Sequence, residues 1–470
     1  MRAMDAIDTI ICMGLPIVDV LRVGCTAIRE TTGRRSGERG NMYATTLRCV
    51  FCGTDYPLTH RGSCTLCARP GEESALHETL GVQYNLAALK RQLDREELAR
   101  RPAGLWRYRE VLPVVDPLFR IDLGAGSTPL VPLTRISEAV EGNRLLMKVE
   151  GSNPSGSFKD RPIGVAASVA LEQGARGLAC LTSGNIGSAM AAVAAKAGVS
   201  SLVLLLGAAG LADHGVSVNV EKYVQISAYG AEVVTPVGNL GQLYALADRI
   251  EVELGWSFMH NVQAYQTDGD KTTAFEICEQ LGWQAPAAVF VPTGTGTNLF
   301  GLWQGFVLFK ELGFIDTLPR MFAIQPIGAA SLVAAWEAHQ ALPSVLERIE
   351  PNLAPPISHR VSGYHAYQAM QESGGGAVAV ADADMLAAMR DLASYEGIYA
   401  EMASAAALAG IRRALALGLL ETEEMRQVGI VGILTSHGLK NSLALATVFP
   451  LPTKVEGTWE ALHSYLEVKR

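Results

Sequence analysis

Short apolar runs that alternate with alanine-rich segments constrain the fold of this chain more than any other feature of its sequence. Two longer apolar stretches, 187–197 and 299–312, are typical of helices. A third helical pattern, with charges among leucines, covers 75–101. The runs that are typical of buried strands are 178–182, 201–206, 288–292, 321–325 and 429–434. Such alternation predicts parallel sheets covered by helices on both faces.

The composition supplies enough apolar residues for more than one core. Of the 470 residues, 49% are hydrophobic and 18% are charged, which is typical of a folded globular protein. The net charge of −8 argues against a nucleic-acid or anionic-membrane surface. The apolar run at 7–23 is interrupted by Asp8, Pro16 and Asp19 and lacks the basic leader of a signal peptide. We therefore expect a cytoplasmic location, with no membrane and no nucleic-acid partner.

Four of the eight cysteines are crowded into one short segment. Cys49 and Cys52 form one C-x2-C pair, and Cys64 and Cys67 form a second. Four thiolates at this spacing can close a tetrahedral, structural Zn2+ site. The alternative is a ribbon of reduced thiols that keeps its shape without metal. Clustered rather than dispersed cysteines also favour a reducing compartment.

A turn-rich segment ends at Lys159, directly before an alanine- and valine-rich helix. A partly buried lysine at a helix start has a disfavoured ammonium form, and a neutral amine is what a Schiff base requires. The segment, 153–161, reads Asn-Pro-Ser-Gly-Ser-Phe-Lys-Asp-Arg. This word resembles the cofactor-lysine motif of the threonine synthase family, within the fold type II (tryptophan-synthase-like) pyridoxal 5'-phosphate (PLP) enzymes. The resemblance implies that Lys159 holds PLP as a Schiff base and removes the α-proton of an amino-acid substrate as general base.

A glycine- and threonine-rich loop follows the strand predicted at 288–292 and opens a helix. Successive backbone amides there, together with the helix N-terminus, form a cradle for an anion. A tight turn without a ligand is the alternative. The loop follows Lys159 at the distance found in the resembled family, which implies that it binds the PLP phosphate. The residues implied are Gly294, Thr295, Gly296, Thr297 and Asn298.

A second loop, between the strand predicted at 178–182 and an alanine-rich helix, contains the word Ser-Gly-Asn. The resemblance implies that Asn185 stacks beside the PLP ring and hydrogen-bonds its ring hydroxyl. It also implies that the loop, with Thr182, Ser183 and Gly184, binds the substrate carboxylate. An ordinary helix N-cap is the alternative. Ile186 departs from the family, which usually has threonine at this position and uses it as a carboxylate contact.

The strand predicted at 429–434 runs into Thr-Ser-His-Gly-Leu-Lys, which resembles the family word Thr-Gly-His-Gly-Leu-Lys. The resemblance implies a hydroxyl beside the pyridine nitrogen of PLP, supplied by Thr435, with Ser436 as the second candidate. A neutral partner leaves that nitrogen largely unprotonated, which favours elimination and replacement over transamination. We expect His437 to be structural.

The part of the family pattern that binds the phosphate of O-phosphohomoserine is not matched. Gln266 stands where the family has an arginine, so a bidentate charged contact is absent from the substrate site. The stretch 357–365 also departs from the family. Arg360, within it, is either a relocated anion-binding residue or a surface arginine.

The resemblance covers about 45–445 and implies a fold type II α/β architecture. We expect two parallel-sheet, three-layer domains with PLP in the cleft, plus a small N-terminal zinc ribbon. A homodimer is one option for the assembly, which stays open. The expected segments are an N-terminal extension at 1–45, the ribbon at 46–72, a large PLP domain at 73–155 and 246–450, a small mobile domain at 156–245, and a tail at 451–470.

Three functions compete at this point. The first is a PLP-dependent lyase that eliminates or replaces the β- or γ-substituent of an activated, O-phosphorylated amino acid, with a side-chain pocket rebuilt relative to threonine synthase. The second is threonine synthase itself, with an unusual phosphate site. The third is a non-catalytic protein that binds PLP or acts through its zinc ribbon. Lys159 together with the phosphate loop disfavours the third.

Overall fold

The structure is a computed structural model that describes most of the chain beyond residue 42. The predicted N-terminal extension lies outside the described residues except for its last three positions. No described helix is long and apolar enough to cross a membrane. The described residues are 43–60, 62–67, 79–139, 144–206, 219–238, 240–260, 264–343, 345–420, 427–442, 449 and 452–469.

Thirteen strands occur within this described part of the chain, and they form three sheets. The strands are β1 (Ala44–Cys49), β2 (Asp55–Tyr56), β3 (Leu80–Tyr84), β4 (Leu130–Pro132), β5 (Leu145–Val149), β6 (Gly177–Thr182), β7 (Ser200–Leu205), β8 (Glu232–Val234), β9 (Ser257–Met259), β10 (Ala288–Pro292), β11 (Arg320–Pro326), β12 (Gly376–Val380) and β13 (Ile430–Leu434).

The α-helices precede, follow and connect these strands. They are α1 (Leu86–Gln92), α2 (Arg95–Arg100), α3 (Thr134–Ala139), α4 (Asp160–Glu172), α5 (Asn185–Ala197), α6 (Val220–Ala228), α7 (Leu240–Arg249), α8 (Ala264–Gln280), α9 (Thr297–Glu311), α10 (Ser331–Glu337), α11 (Tyr364–Glu372), α12 (Asp382–Glu396), α13 (Met402–Ala416) and α14 (Trp459–Lys469).

The larger sheet has six strands in the order β12-β11-β10-β13-β5-β4. Every neighbouring pair is parallel except β4 with β5. Along β10, Val289 and Val291 pack into one hydrophobic cluster, while Ala288 and Phe290 pack into a second on the other face. Helices line both clusters, because α8 and α9 contribute to the first and α12 and α13 to the second. The prediction of a parallel sheet between two helical layers is confirmed.

The second sheet has four parallel strands in the order β8-β7-β6-β9. Leu178 and Cys180 of β6 face a cluster that includes residues of α4 and α5, and Ala179 faces a cluster that includes Ala247 of α7. Helices therefore pack on both faces of this sheet as well, which gives a second three-layer arrangement. Its strand β9 lies after residue 245, the position where the small domain was expected to end.

The N-terminal segment is a small antiparallel sheet in the order β2-β1-β3. One prediction was wrong here, because the helical pattern at 75–101 contains the strand β3. β3 pairs with β1 along its length, and this long-range pairing outweighs the local helical pattern. The helices α1 and α2 begin only afterwards, at caps in which the Asn85 and Asp94 side chains accept hydrogen bonds from backbone N–H groups.

Candidate active site

Loops that follow strands of both parallel sheets line one cavity of about 160 Å³. Such crevices at the carboxyl ends of parallel strands are the usual ligand sites of α/β folds. Two predicted site residues, Gly184 and Gln266, are not among the residues that line it. The predicted residues that do line it are Lys159, Thr182, Ser183, Asn185, Gly294, Thr295, Gly296, Thr297, Asn298 and Thr435.

Lys159 lies immediately before α4 and is half-buried, with its Nζ 4.6 Å from the centre of the Phe158 ring. The Phe158 N–H donates to the Thr435 carbonyl oxygen at 2.8 Å, which ties the lysine segment to the end of β13. Burial lowers the pKa of the Lys159 amine, and the negative charge of Asp270 opposes this effect. A lowered pKa increases the fraction of neutral amine that is available as nucleophile and base.

A buried ionic network fixes the helix that begins at Lys159. The Arg161 guanidinium is fully buried and donates at 2.7 Å to Glu150 and to Glu276, and Lys148 also donates to Glu276 at 2.7 Å. Because these partners belong to β5, α8 and the segment after β5, the network joins three parts of the core. Removing one partner would leave an uncompensated buried charge, which typically costs about 3–5 kcal/mol.

The phosphate loop depends on two glycines. Gly296 has a φ of 100° in the left-handed region, and a Cβ at this position would lie 2.3 Å from the Ala366 Cβ. A Cβ at Gly294 would lie 2.6 Å from Cδ2 of His359. Only glycine fits both positions, and the backbone N–H groups at the start of α9 are thereby open to an anion.

Two buried amides support the assignment of this cavity to a polar cofactor. Oδ1 of Asn185 and Nδ2 of Asn298 are buried and have no hydrogen-bond partner among the described residues. Both asparagines line the cavity and lie in loops at which helices begin. Unsatisfied buried polar atoms are uncommon and indicate a missing partner. A planar, phosphorylated cofactor bearing a ring hydroxyl supplies such partners, so the residues present fit PLP.

The Ser-Gly-Asn loop joins β6 to α5. Its Gly184 N–H donates to the Thr182 Oγ1 at 3.0 Å, and Gly184 has a φ of 150°. A Cβ at Gly184 would lie 2.3 Å from Cδ of Lys222, so this lysine passes directly over the loop. Ile186 follows and is buried. The loop therefore offers hydroxyls and helix-start amides next to a cationic side chain.

The end of β13 carries Thr435, whose Oγ1 lies 2.9 Å from the Ser404 Oγ. Ser436, the second candidate, does not line the cavity, and its hydroxyl donates to Glu401. The His437 Nδ1 accepts from the backbone N–H of Leu439 at 3.1 Å, as in a helix cap. Of the two residues considered for the pyridine nitrogen, Thr435 lines the cavity and Ser436 does not.

Gln266, and the two cations that could replace the missing arginine, Lys271 and Arg360, have other partners. Gln266 is buried, and its Nε2 donates to the His260 carbonyl oxygen at 2.5 Å. Lys271 donates to Asp268. Arg360 is exposed and donates to the Leu346 carbonyl oxygen at 3.0 Å. None of Gln266, Lys271 and Arg360 is among the residues that line the cavity.

Three residues that the sequence did not single out carry charge or proton-transfer capacity at the site. Lys222 and Glu401 line the cavity and form a buried ion pair at 2.7 Å. His359 also lines it, and burial lowers the pKa of its imidazole to about 4, with a further contribution from the positive charge of Lys159. A fourth residue, Asp270, precedes Lys271 in the sequence and interacts electrostatically with Lys159, although no local sequence signal marks it.

Asp270 is a buried carboxyl group whose two oxygens have no hydrogen-bond partner among the described residues. It packs against α9, because a Cβ at Gly301 would lie 2.5 Å from the Asp270 Cβ. Burial raises the pKa of Asp270 from 3.8 to about 7, although the positive charge of Lys159 acts in the opposite direction. The cost of burying the ionised Asp270 carboxylate thus outweighs its attraction to the positive charge of Lys159.

Replacing Asp270 with asparagine is expected to stabilise the protein at alkaline pH. A carboxyl pKa raised by folding makes the native protein lose stability as the pH rises from about 4 to about 7, by at most about 4 kcal/mol. The asparagine variant lacks this titrating group. The difference in unfolding free energy in its favour should therefore grow between about pH 4 and about pH 7 and then level off. Thermal unfolding of both PLP-loaded proteins at several pH values measures it. An advantage that shrinks with rising pH would show that the Lys159–Asp270 pair is net stabilising.

The four clustered cysteines converge in the N-terminal sheet. Their sulfurs all lie within 4.8 Å of one another, with 3.8 Å between Cys49 and Cys67 and 3.6 Å between Cys52 and Cys64. A tetrahedral zinc site with Zn–S bonds of about 2.3 Å places its sulfurs about 3.8 Å apart. The set therefore has the donor atoms and the spacing of a closed structural zinc site.

Replacing Cys49 and Cys64 together with serine is expected to remove about one zinc ion per chain. Thermal stability should fall, because metal binding contributes folding free energy to the ribbon, while the PLP absorbance should be largely kept. Elemental analysis and thermal unfolding measure the two effects. Cys12→Ser, outside the cluster, is the control. Wild-type protein without metal after preparation free of chelators would identify the cluster as reduced thiols.

Comparison with known proteins identifies the relatives of this chain. A family model described as "Pyridoxal-phosphate dependent enzyme" matches residues 121–431. The chain is 33% identical to a threonine synthase of Methanocaldococcus jannaschii over 423 residues, which are 89% of this chain and 99% of that protein. It is also 33% identical to a threonine synthase of Methanosarcina acetivorans over 421 residues, 88% and 97% of the two chains.

Solved structures agree on the fold. The processed form of threonine deaminase isoform 2 from Solanum lycopersicum superimposes with a TM-score of 0.57 at 19% identity, covering 75% of this chain and 96% of that chain. A maize serine racemase superimposes with a TM-score of 0.56 at 20% identity, covering 73% and 93%. At these identities the likeness establishes the architecture alone.

Proposed function

This chain belongs to the pyridoxal-phosphate-dependent enzyme family, with threonine synthases as relatives, and we propose that it eliminates or replaces the β- or γ-substituent of an activated amino acid. The observation that carries this proposal is one cavity that contains Lys159, a glycine-dependent phosphate loop and two unpartnered amides. The substrate class follows from the charges around that cavity. A cytoplasmic location and a homodimer belong to the same proposal.

The residues that would hold the cofactor are those of the two helix-start loops and the end of β13. Amides at 294–298 would bind its phosphate, Asn185 its ring hydroxyl, and Thr435 its ring nitrogen. When bound, PLP supplies an electron sink that stabilises negative charge at the α-carbon of an amino acid. Thr435 offers that nitrogen a hydroxyl rather than a carboxylate, which supports elimination and replacement over transamination.

Lys159 is proposed to hold the cofactor covalently and to move the α-proton. Its amine is half-buried beside the Phe158 ring, and burial lowers its pKa. In its free, neutral form the Lys159 Nζ would accept the α-proton of a bound amino acid. General bases of this kind contribute about 10²–10⁴ in rate. The carboxylate of the substrate would bind at the loop 182–184, where hydroxyls and helix-start amides meet Lys222.

The charges around the cavity bear on whether the substrate side chain carries a phosphate. Among the described residues that line the cavity, the cations are Lys159 and Lys222, and Lys222 is paired with Glu401. Among the described residues of the cavity wall, a second phosphate therefore has one cation to bind, and that cation has an acidic partner. This favours an acylated serine, threonine or related amino acid, and a phosphorylated one is a candidate only if Lys222 also binds its phosphate.

Threonine synthase is the second candidate. It is favoured by relatives of that name whose alignments cover nearly their whole length, 99% in one case. A non-catalytic role is less well supported, because the lysine, the phosphate loop and the carboxylate loop all surround one cavity.

A panel of amino acids tests the proposal. The PLP-loaded enzyme is incubated in deuterium oxide with O-phospho-L-serine, O-phospho-L-threonine, O-acetyl-L-serine and O-phospho-L-homoserine. Nuclear magnetic resonance follows loss of the α-proton signal, and product analysis follows the leaving group. We expect exchange and release with at least one serine or threonine derivative. Absence of α-proton exchange with all four would contradict an enzyme of this class.

A further inference from the structure

His359 lies in the wall of the same cavity as Lys159, beside the phosphate loop. A Cβ at Gly294 would lie 2.6 Å from Cδ2 and 3.0 Å from Nε2 of this imidazole. The ring therefore occupies space that is available only because residue 294 is glycine. His359 also lies in the stretch 357–365, where the sequence departs from the family pattern.

The hydrogen bonds of His359 leave one of its ring nitrogens available. A backbone hydrogen bond links the imidazole to Pro356, whose carbonyl oxygen is the acceptor. Burial and the nearby Lys159 keep the imidazole neutral at physiological pH, since its pKa lies at about 4. A neutral imidazole with one nitrogen donating presents the other as an acceptor. The cavity wall thus contains a neutral imidazole that can accept a proton.

The other acceptors in the cavity wall have partners or assigned roles. The Glu401 carboxylate binds Lys222 and the Ser436 hydroxyl. The Thr435 hydroxyl lies at hydrogen-bond distance from Ser404. Asn185 and Asn298 fit the cofactor. Among the described residues of the cavity wall, His359 is the imidazole, and it is available to a group on the substrate side chain or to a water molecule that attacks it.

We propose that His359 is a catalytic residue that takes a proton from the water molecule that replaces the leaving group, an inference that rests on the proposed function. The bond to the leaving group breaks with its electron pair on the leaving group, and the water oxygen forms the new bond to the β- or γ-carbon of the substrate while one of its own O–H bonds breaks. The electron pair of that bond stays on oxygen, and the proton passes to the free imidazole nitrogen. The imidazolium then gives the proton to the departed leaving group, which restores neutral imidazole without any redox change.

Product partition tests this role separately from the earlier steps. O-phospho-L-serine and O-phospho-L-homoserine are the probes, and the enzymes are wild type, His359→Gln and His359→Phe, all loaded with PLP. Loss of the water-activating base should lower the ratio of hydroxy amino acid to α-keto acid by at least about tenfold. The rate of α-proton exchange in deuterium oxide should change by less than about twofold, because Lys159 performs that step.

Two further measurements separate catalysis from structure. The cofactor absorbance and the affinity for PLP should match those of wild type in both variants. In isotope-labelled protein, the histidine signal that is missing from His359→Gln should report a neutral ring at neutral pH. His463→Gln, on the exposed face of α14, is the matched control and should leave every readout unchanged.

An unchanged product ratio in both variants overturns the role of His359, and so does a parallel loss of α-proton exchange or of bound PLP. If wild-type enzyme exchanges no α-proton with either probe or with the rest of the panel, the proposed function fails first, and the inference fails with it. A fall in the product ratio with exchange and PLP binding intact supports His359 as the base.

Discussion

Replacing Lys159 with alanine is expected to abolish turnover and to remove the yellow colour of the bound cofactor. The Lys159 amine is the group assigned both to the Schiff base and to the α-proton, so its loss removes two functions at once. The other lysine of the cavity wall, Lys222, is tied to Glu401 at 2.7 Å and is poorly placed to substitute. We expect at least about a thousandfold loss of activity. The visible spectrum and steady-state product formation measure both effects.

Lys196→Ala is the matched control for this experiment. Lys196 is an exposed residue near the end of α5, so its loss should change neither the colour nor the rate. A small primary amine added to the Lys159→Ala enzyme should restore part of the α-proton exchange if the missing group is the amine itself. Full activity of the alanine variant would remove the basis for the assignment of Lys159.

The parts of the site that could be predicted from sequence are those whose conformation is determined by the residues of one short segment. The phosphate loop is such a segment, since Gly294 and Gly296 are required by close contacts and by a left-handed backbone. The strands around it were predicted for a similar reason, because strands that are buried on both faces form continuous apolar runs. A short sequence motif was sufficient to predict the loop, and local hydrophobic patterns were sufficient to predict the strands.

The parts that could not be predicted depend on contacts between distant segments. Lys222 and Glu401 are 179 positions apart and form their ion pair across the cavity. Nothing near either residue in the sequence indicates the other. The helical pattern at 75–101 failed similarly, because the pairing of β3 with β1 is a tertiary effect. Gln266 was expected in the substrate site from its position in a family word, but its side chain binds the His260 carbonyl oxygen.

The charges around the cavity lead to the second large expected effect, which concerns O-phosphohomoserine. We expect this compound to be converted to threonine with a catalytic efficiency at least about 100-fold below that of a threonine synthase. A charged contact to phosphate that is replaced by a neutral amide loses about 2–3 kcal/mol, and each 1.4 kcal/mol is about a factor of ten. Gln266 supplies no such charge, and Arg360 and Lys271 do not line the cavity.

Lys222 is the residue that could reverse this expectation. It would have to leave Glu401, or share it, in order to bind the phosphate, and the carboxylate would remain buried beside the incoming anion. Steady-state assays of phosphate release and threonine formation, run beside the Methanocaldococcus jannaschii threonine synthase, measure the difference. Comparable threonine production would mean that the Lys222–Glu401 pair opens for the substrate, and that the chain is a threonine synthase with a single-lysine phosphate site. Slow threonine production together with rapid reaction of a phosphorylated or acylated serine or threonine would support the rebuilt side-chain pocket.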